Sequence, residues 1–177
     1  GWTTETASAN GRGRETGVRG DSCVGNVSTV GDYGNHEGGW VDGAATFQPE
    51  TARALERVAA GRAKQEAGQA ASIPVAILRL AGIYGPGRNA FANLAAGRAH
   101  RIVKQGQVFN RIHVDDIAQA IAAAAAYPHG GVWNVCDDEP APPQDVVTYA
   151  AGLMNVPPPP EQDFATADLS PMARSFY

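Results

Sequence analysis

The sequence predicts an α/β protein built on a parallel sheet, and three observations support this. Residues 73–80 form a nearly continuous apolar run, which is typical of a parallel strand covered on both faces. Two further strand-like segments follow at residues 108–114 and 131–136. Segments with helical character separate these strands, and strands that alternate with helices favour a parallel sheet.

The N-terminal stretch, residues 1–22, differs from the rest of the chain. It is rich in Gly, Arg, Thr, Ser and Glu, has almost no aliphatic side chains, and follows neither a helical nor a strand period. We predict that it is disordered, because it cannot bury enough apolar surface to offset the entropy of ordering. Its segment GRGRETG (11–17) has the composition of a dinucleotide-binding loop. The hydrophobic strand and the helix that flank such a loop are missing.

The next predicted elements are a strand and a helix. Residues 23–30 predict a short strand that ends in a polar turn. Pro49 and Glu50 mark the start of a helix that runs to about residue 70, since proline and an acidic residue favour a helix N-terminus. We expect a modest apolar stripe on this helix, formed by Leu55, Val58 and Ala59.

Three more helices follow the strand at 73–80. The turn GPG (85–87) precedes a helix at 90–96, and Asp115 and Asp116 are expected to cap an alanine-rich helix at 117–126. Pro142 opens an amphipathic helix that ends before the prolines at 157–160. The apolar positions of that helix are Val146, Val147, Ala150, Leu153 and Met154.

Composition and charge exclude several classes of function. The net charge of -4 gives no basic surface for nucleic acid or for an anionic membrane. No segment approaches the ~20 consecutive apolar residues of a membrane-spanning helix. Cys23 and Cys136 form neither a disulfide framework nor a metal-binding pair, and the four histidines are scattered, so no metal site is predicted. We expect a cytoplasmic protein with two reduced thiols.

Four short segments occur in a fixed order between residues 24 and 155. They are STVGDYG (28–34), RLAGIYGPG (79–87), RIHVDDIA (111–118) and WNV (133–135). Together they resemble the extended short-chain dehydrogenase/reductase (SDR) family of NAD(P)-dependent epimerases, dehydratases and reductases. The final segment, DLSPMARSFY, resembles an atypical bacterial subgroup of epimerase-like members. The resemblance implies that residues 23–177 are the C-terminal part of a Rossmann-type parallel sheet with a small portion of the substrate lobe.

The resemblance also implies which residues form the site. Thr29 would occupy the catalytic Ser/Thr position, where a hydroxyl hydrogen-bonds the substrate oxygen during hydride transfer. Ala81, Gly82 and Ile83 would line the nicotinamide pocket of NAD or NADP, because small residues let the backbone approach a flat ring. Alternatively, Thr29 only ends a strand and the other three only form a tight exit from the sheet. His113 resembles a structural histidine of the family.

Two features of the family are absent from the sequence. Its Tyr-xxx-Lys pair falls on Arg53 and Arg57, and arginine stays protonated and cannot act as a general base. The atypical subgroup also lacks the tyrosine. The Gly-rich turn that seats the pyrophosphate is missing too, so we hypothesise a fragment, or the product of a truncated or frame-shifted gene, without its N-terminal half.

Three functions remain open at this point. The first is an NAD(P)-dependent oxidoreductase or epimerase-like protein acting on a hydroxyl-bearing small molecule, perhaps a nucleotide sugar. The second is a non-catalytic SDR-like sensor or scaffold that binds a dinucleotide or a protein, which the two arginines favour. The third, an unrelated α/β interaction module, requires the four segment matches to be chance. The family resemblance further implies a homodimer through residues 49–70.

Overall fold

A computed structural model describes residues 3–4, 17–20, 23–36, 39–49, 51–174 and 177. The strands are β1 (Thr3–Thr4), β2 (Gly17–Gly20), β3 (Cys23–Thr29), β4 (Val75–Leu80), β5 (Gly82–Tyr84), β6 (Arg101–Val103), β7 (Arg111–His113), β8 (Gly131–Val135) and β9 (Glu161–Asp163). The helices are α1 (Ala52–Ala71), α2 (Ala90–Ala95), α3 (Val114–Ala126), α4 (Pro143–Leu153) and α5 (Pro171–Arg174). The predicted α/β class with a Rossmann-type parallel sheet is confirmed.

The described chain divides into two compact units. The first contains a five-stranded sheet in the order β1-β2-β3-β4-β8, together with α1 and α3. Strands β3, β4 and β8 are parallel, whereas β1 and β2 run antiparallel to their neighbours. The second unit contains α2, α4 and the parallel pair β6–β9, whose strands are too short for the sequence pattern to reveal.

The prediction of disorder for residues 1–22 falls mostly outside the described residues, and so does most of the GRGRETG segment. Within that stretch the structure describes β1 and β2, and β2 pairs with β3 from Gly17 opposite Asn26 to Gly20 opposite Cys23. For the remaining residues disorder stays a prediction. The same holds for the proposed boundary of a domain over residues 23–177.

The apolar core of the first unit lies on one face of the sheet. Leu78 and Leu80 on β4 are buried, and they pack with Ile112 and with Ile117 and Ile121 of α3. Because β4 is covered on both faces, five of its six residues are buried, as its apolar sequence predicts. None of the alanines of α3 is fully buried, although Ala124 packs partly against this core.

The opposite face of the sheet is covered by α1. Thr51 caps this helix by accepting a hydrogen bond from the Ala54 amide at 3.1 Å. The predicted apolar stripe is wrong at Leu55, which is 56% exposed, and at Ala59, which is also exposed, whereas Val58 is half-buried. The buried positions of α1 are Ala54 and Gly68. A side chain at Gly68 would overlap Val75, so the small residue permits a close approach to β4.

The start of α3 corrects a second expectation. Asp115 and Asp116 lie in the first turn, and the cap is His113, whose Nδ1 accepts a hydrogen bond from the Asp115 amide at 3.2 Å. The side chain of His113 is 29% exposed, so this residue ends β7 and begins α3 at the edge of the core. Its role as a structural histidine of the family stays a prediction.

The second unit packs around α4. Ala150 and Ala151 are buried, whereas Leu153 is 62% exposed, which contradicts its assignment to the apolar stripe. Strands β6 and β9 are joined by an ion pair between Arg101 and Glu161 at 2.6 Å. This pair links segments about sixty residues apart.

A loop connects β3 to α1, and its neck lies in the first unit. It is closed at its neck by a hydrogen bond from the Gln48 amide to the Tyr33 carbonyl at 2.8 Å. Gly34 has a φ of 76°, and a Cβ at this position would overlap the backbone of Gln48. Glycine is therefore required at the neck.

Candidate active site at the carboxyl edge of the sheet

The carboxyl ends of β3, β4 and β8 lie side by side. Thr29 pairs in register with Leu80, and Leu80 pairs with Val135. In parallel α/β sheets, ligands bind outside the carboxyl ends of the strands. The residues that the sequence singled out, Thr29 and Ala81–Ile83, therefore share this edge, although their roles stay predictions.

Thr29 is the last residue of β3 and is half-buried. Its Oγ1 accepts a hydrogen bond from the Gly31 amide at 3.2 Å and so caps a short 3₁₀ turn formed by Val30–Asp32. The hydroxyl can still donate its own proton, and among the described residues it makes no bond in which it is the donor. The arrangement therefore combines a structural contact with a free donor.

Ala81, Gly82 and Ile83 differ in exposure. Ala81 is 5% exposed, and its amide donates to the Val135 carbonyl at 3.1 Å. Ile83 packs partly against the apolar core. Gly82 is exposed and has no side chain, so its backbone is the part of this segment that a flat ring could approach.

A buried polar network lies on the α1 face of the sheet, directly after β3. Tyr33 is 2% exposed and donates from its hydroxyl to Asn134 Oδ1 at 2.7 Å. Arg79, 6% exposed, donates to the Tyr33 hydroxyl and to the Gly43 carbonyl. Its guanidinium also stacks over the rings of Tyr33 and Phe47, with its central carbon 4.9 and 4.5 Å from their centroids.

Asp32 joins a second network beside the first. Its carboxylate is 2% exposed and accepts from Ser28 Oγ at 2.7 Å and from Arg57 Nε at 2.8 Å. Arg57 therefore forms an ion pair on the inner face of α1, whereas Arg53 is exposed. Sequence reasoning identified both arginines but missed Asp32. A charged residue directly before the Tyr-Gly pair was the available signal.

The two networks border a small cavity between β3, β4 and α1. It has room for about 20 Å³, roughly one water molecule, and Ser28, Asp32, Arg57 and Arg79 lie in its wall. This cavity is too small for a substrate. We therefore place the candidate active site at the carboxyl edge and treat the networks as its support.

Other kinds of site find little support in the described part of the chain. No group of three His, Cys, Asp or Glu side chains there could hold a metal ion. Cys23 is buried and Cys136 is exposed. Among the described residues, no helix combines the length and apolar character needed to cross a membrane.

In the second unit, partial burial raises the pKa of the Tyr177 phenol above its ordinary value.

A sequence profile of the NAD dependent epimerase/dehydratase family matches residues 14–136. Among proteins of curated function, none matches the sequence significantly. A protein of unknown function from Silicibacter pomeroyi is 54% identical, with a TM-score of 0.79 over 88% of this chain. The match covers 54% of that protein, so the chain spans about half of its length.

Enzymes of known activity share the fold at lower identity. The UDP-glucose 4-epimerase of Thermus thermophilus, in complex with NAD, is 23% identical with a TM-score of 0.67. The match covers 80% of this chain and 50% of that one. The dTDP-glucose 4,6-dehydratase of Bacillus anthracis, also with NAD, is 19% identical with a TM-score of 0.68, over 78% and 48% of the two chains.

Proposed function

The chain belongs to the NAD-dependent epimerase/dehydratase family, and from this premise we propose that it forms the substrate-facing part of a nicotinamide-nucleotide-dependent oxidoreductase or epimerase. The reaction class is hydride transfer between the nicotinamide and a carbon that bears a hydroxyl. A nucleotide-linked sugar is the proposed substrate. The observation that carries the proposal is the position of Thr29 beside Leu80 and Ala81 at one carboxyl edge.

Thr29 is the proposed contact to the substrate oxygen. Its Oγ1 accepts a hydrogen bond from the Gly31 amide, and accepting a bond polarises the hydroxyl and makes it a better donor. A donor aimed at the substrate oxygen stabilises the negative charge that develops as the hydride leaves. The same bond limits rotation of the side chain, so the donor is held in place before the substrate binds.

Ala81–Ile83 are the proposed contacts to the nicotinamide ring of NAD or NADP. The residues fit this role because Gly82 is exposed without a side chain, while Ala81 and Ile83 are held by the sheet and the core. When bound, the dinucleotide supplies or accepts the hydride. The protein's own part is to orient the flat ring and to exclude water on its buried side.

The second candidate is a non-catalytic, dinucleotide-binding sensor or scaffold. One observation favours it: Arg57 stands at the family's lysine position and is engaged by Asp32. Arg53, at the tyrosine position, is exposed and carries no removable proton near neutral pH. The α1 helix thus offers no general base at these two positions.

Titration with NADH and with NADPH, followed by calorimetry and by nicotinamide fluorescence, tests the binding step. We expect Gly82→Val to weaken binding about tenfold or more, because a side chain there blocks the approach of the ring. Gly152→Val, in α4, is the matched control and should leave affinity unchanged. Absence of binding both by this chain and by a version extended at the N-terminus, or equal loss in both variants, would contradict the proposal.

Turnover separates the two candidates. On a panel of nucleotide sugars, an oxidoreductase reduces NAD(P) or interconverts the sugars, and Thr29→Val should lower its kcat about 100-fold or more. Thr148→Val is the control, since this exposed hydroxyl in α4 donates to the Gln144 carbonyl within its own helix. Dinucleotide binding without turnover would support the sensor and refute the enzyme.

Two expectations from the sequence stay predictions. The family resemblance suggests a homodimer through residues 49–70, and the exposed Leu55 of α1 would lie in that interface. Sedimentation of the chain and of Leu55→Glu distinguishes a dimer from a monomer. A cytoplasmic location is the second expectation, and localisation of a tagged protein tests it.

A further inference from the structure

We propose that Asp32 is a positioning residue that holds the Thr29 hydroxyl in its working orientation through Ser28 and Arg57. The inference rests on the proposed function, in which Thr29 contacts the substrate. It assigns Arg57 a role different from that of the lysine whose position it occupies. Arg57 neutralises Asp32 and does not take part in proton transfer.

Burial makes the Asp32 carboxylate dependent on its partners. A carboxylate that is 2% exposed costs several kcal/mol unless it is paired and hydrogen-bonded. Asp32 has one partner for each of its oxygens: Ser28 Oγ bonds to Oδ2 and Arg57 Nε to Oδ1. Because Arg57 is about one-third exposed, it can shift or be solvated, whereas Asp32 cannot. The network is therefore anchored at the carboxylate.

The same network fixes the backbone that carries Thr29. Successive side chains of a strand point to opposite faces, so a fixed Ser28 side chain on the α1 face determines where Thr29 points. Asp32 lies four residues after Ser28 and accepts a hydrogen bond from the Ser28 hydroxyl, so one side-chain bond spans the 3₁₀ turn. Thr29 lies at the start of this turn, and its Oγ1 accepts a hydrogen bond from the Gly31 amide.

The end of the turn is held independently. The Tyr33 amide donates to the Val30 carbonyl at 3.1 Å, and the Tyr33 side chain is fixed by Arg79 and Asn134. Asp32 is thus the link between the strand, the turn and α1. Loss of its carboxylate should loosen the Thr29 side of the turn, while Tyr33 keeps the far side in place.

Nuclear magnetic resonance of the full chain tests the inference without any ligand. In Asp32→Asn and Arg57→Gln, three-bond couplings to Thr29 Cγ2 should move from the values of a single rotamer towards rotamer-averaged ones. Hydrogen exchange of the Gly31 amide, which donates to Thr29 Oγ1, should become about tenfold faster. Arg53→Gln, one helical turn away and exposed, is the matched control and should change neither quantity.

Two gentler variants keep the inference falsifiable if Asp32→Asn fails to fold. Ser28→Ala removes one donor and keeps the ion pair, so it should average the Thr29 couplings without altering the charge. Arg57→Lys retains the positive charge and should restore most of the single-rotamer signal lost in Arg57→Gln. Unchanged Thr29 couplings in Ser28→Ala and Arg57→Gln would overturn the positioning role.

Turnover measurements then distinguish a failure of the positioning role of Asp32 from a failure of the proposed role of Thr29. If Thr29 becomes averaged in Asp32→Asn and substrate turnover falls while the KM for the dinucleotide is unchanged, both the positioning role and the proposed function are supported. If Thr29 becomes averaged and turnover is unaffected, the positioning role stands and the proposed role of Thr29 fails. If Thr29 stays in one rotamer, the inference fails whatever the turnover shows.

Discussion

The two faces of the central sheet are built from opposite kinds of residue. The face towards α3 carries Leu78 and Leu80 of β4 with Trp133 and Val135 of β8, all in the apolar core. The face towards α1 alternates with it along the same strands, and there, beside the buried Ile77, the side chains of Ser28, Arg79 and Asn134 form part-buried hydrogen bonds. The comparison teaches that one face is held mainly by apolar packing, while the other is also held by hydrogen bonds that fix the position of loops and turns. We expect substitutions on the two faces to differ in kind as well as in size.

The largest effect is expected on the apolar face. Leu78→Ala removes a side chain that is 5% exposed and leaves a cavity, which should lower the free energy of unfolding by about 2–5 kcal/mol. Denaturant titration followed by circular dichroism measures the loss. Leu153→Ala is the control, because that leucine is 62% exposed and should cost no more than about 0.5 kcal/mol. Equal losses would remove the distinction between core and surface.

An intermediate effect is expected where α1 meets the sheet. Alanine favours a helix over glycine by about 1 kcal/mol, so Gly61→Ala, which faces open space, should stabilise the protein slightly. Gly68→Ala should instead destabilise it by about 1–3 kcal/mol, since its Cβ would overlap Val75 and lie 2.8 Å from the Ile73 carbonyl oxygen. Thermal unfolding of both variants reads the difference. Stabilisation by Gly68→Ala would show that the helix can move away from the sheet at little cost.

The smallest effect is expected within the polar face. Tyr33→Phe keeps the buried ring but removes the hydroxyl that donates to Asn134 and accepts from Arg79, at a cost of about 1–2 kcal/mol. Amide exchange near Val41 should quicken as well, because Asn134 also donates to the Val41 carbonyl at 3.1 Å. Tyr149→Phe, at a phenol 72% exposed, is the matched control and should change neither quantity. Unchanged stability in Tyr33→Phe would mean that this hydroxyl contributes nothing to the free energy of unfolding.

The two faces also explain how much could be predicted from the sequence. Strand β4 was predictable because five of its six residues are apolar, and a parallel strand buried on both faces needs that composition. Its single charge, Arg79, gave no hint of its partners. Those partners lie 36 and 46 residues earlier in the chain, and only the closed fold brings them together.

Helix α1 was predicted at the right place but with the wrong face. The expected apolar stripe included Leu55, which points outwards and is exposed. The inner face instead includes small residues and an ion-paired residue, among them Ala54, Gly68 and Arg57. Periodicity of apolar residues does not reveal a face that is held by an ion pair and by close backbone approach. The cap of α3 was missed for a related reason, because His113 uses a ring nitrogen where the nearby aspartates are the commoner caps.

The residues of the candidate site also differ in whether the sequence points to them. Thr29 and Ala81–Ile83 were singled out by the family resemblance, and the structure shows that Thr29 ends β3 and Ala81 follows β4 at one edge of the sheet, while their roles stay predictions. Asp32 was not singled out, since its importance depends on a partner 25 residues away on another element. Residues that end strands are readable from a pattern, and residues that hold those ends in place are not.

The closed neck between Gly34 and Gln48 has a consequence for how such proteins diversify. Since the two ends of the loop meet in a single backbone hydrogen bond, residues can be inserted or deleted between them without changing where α1 begins. Val41 and Gly43 are hydrogen-bonded to the sheet through Asn134 and Arg79, so the loop also has fixed points between its two ends. Comparison of related genes should therefore find more variation in the length of this loop than in the position at which α1 begins.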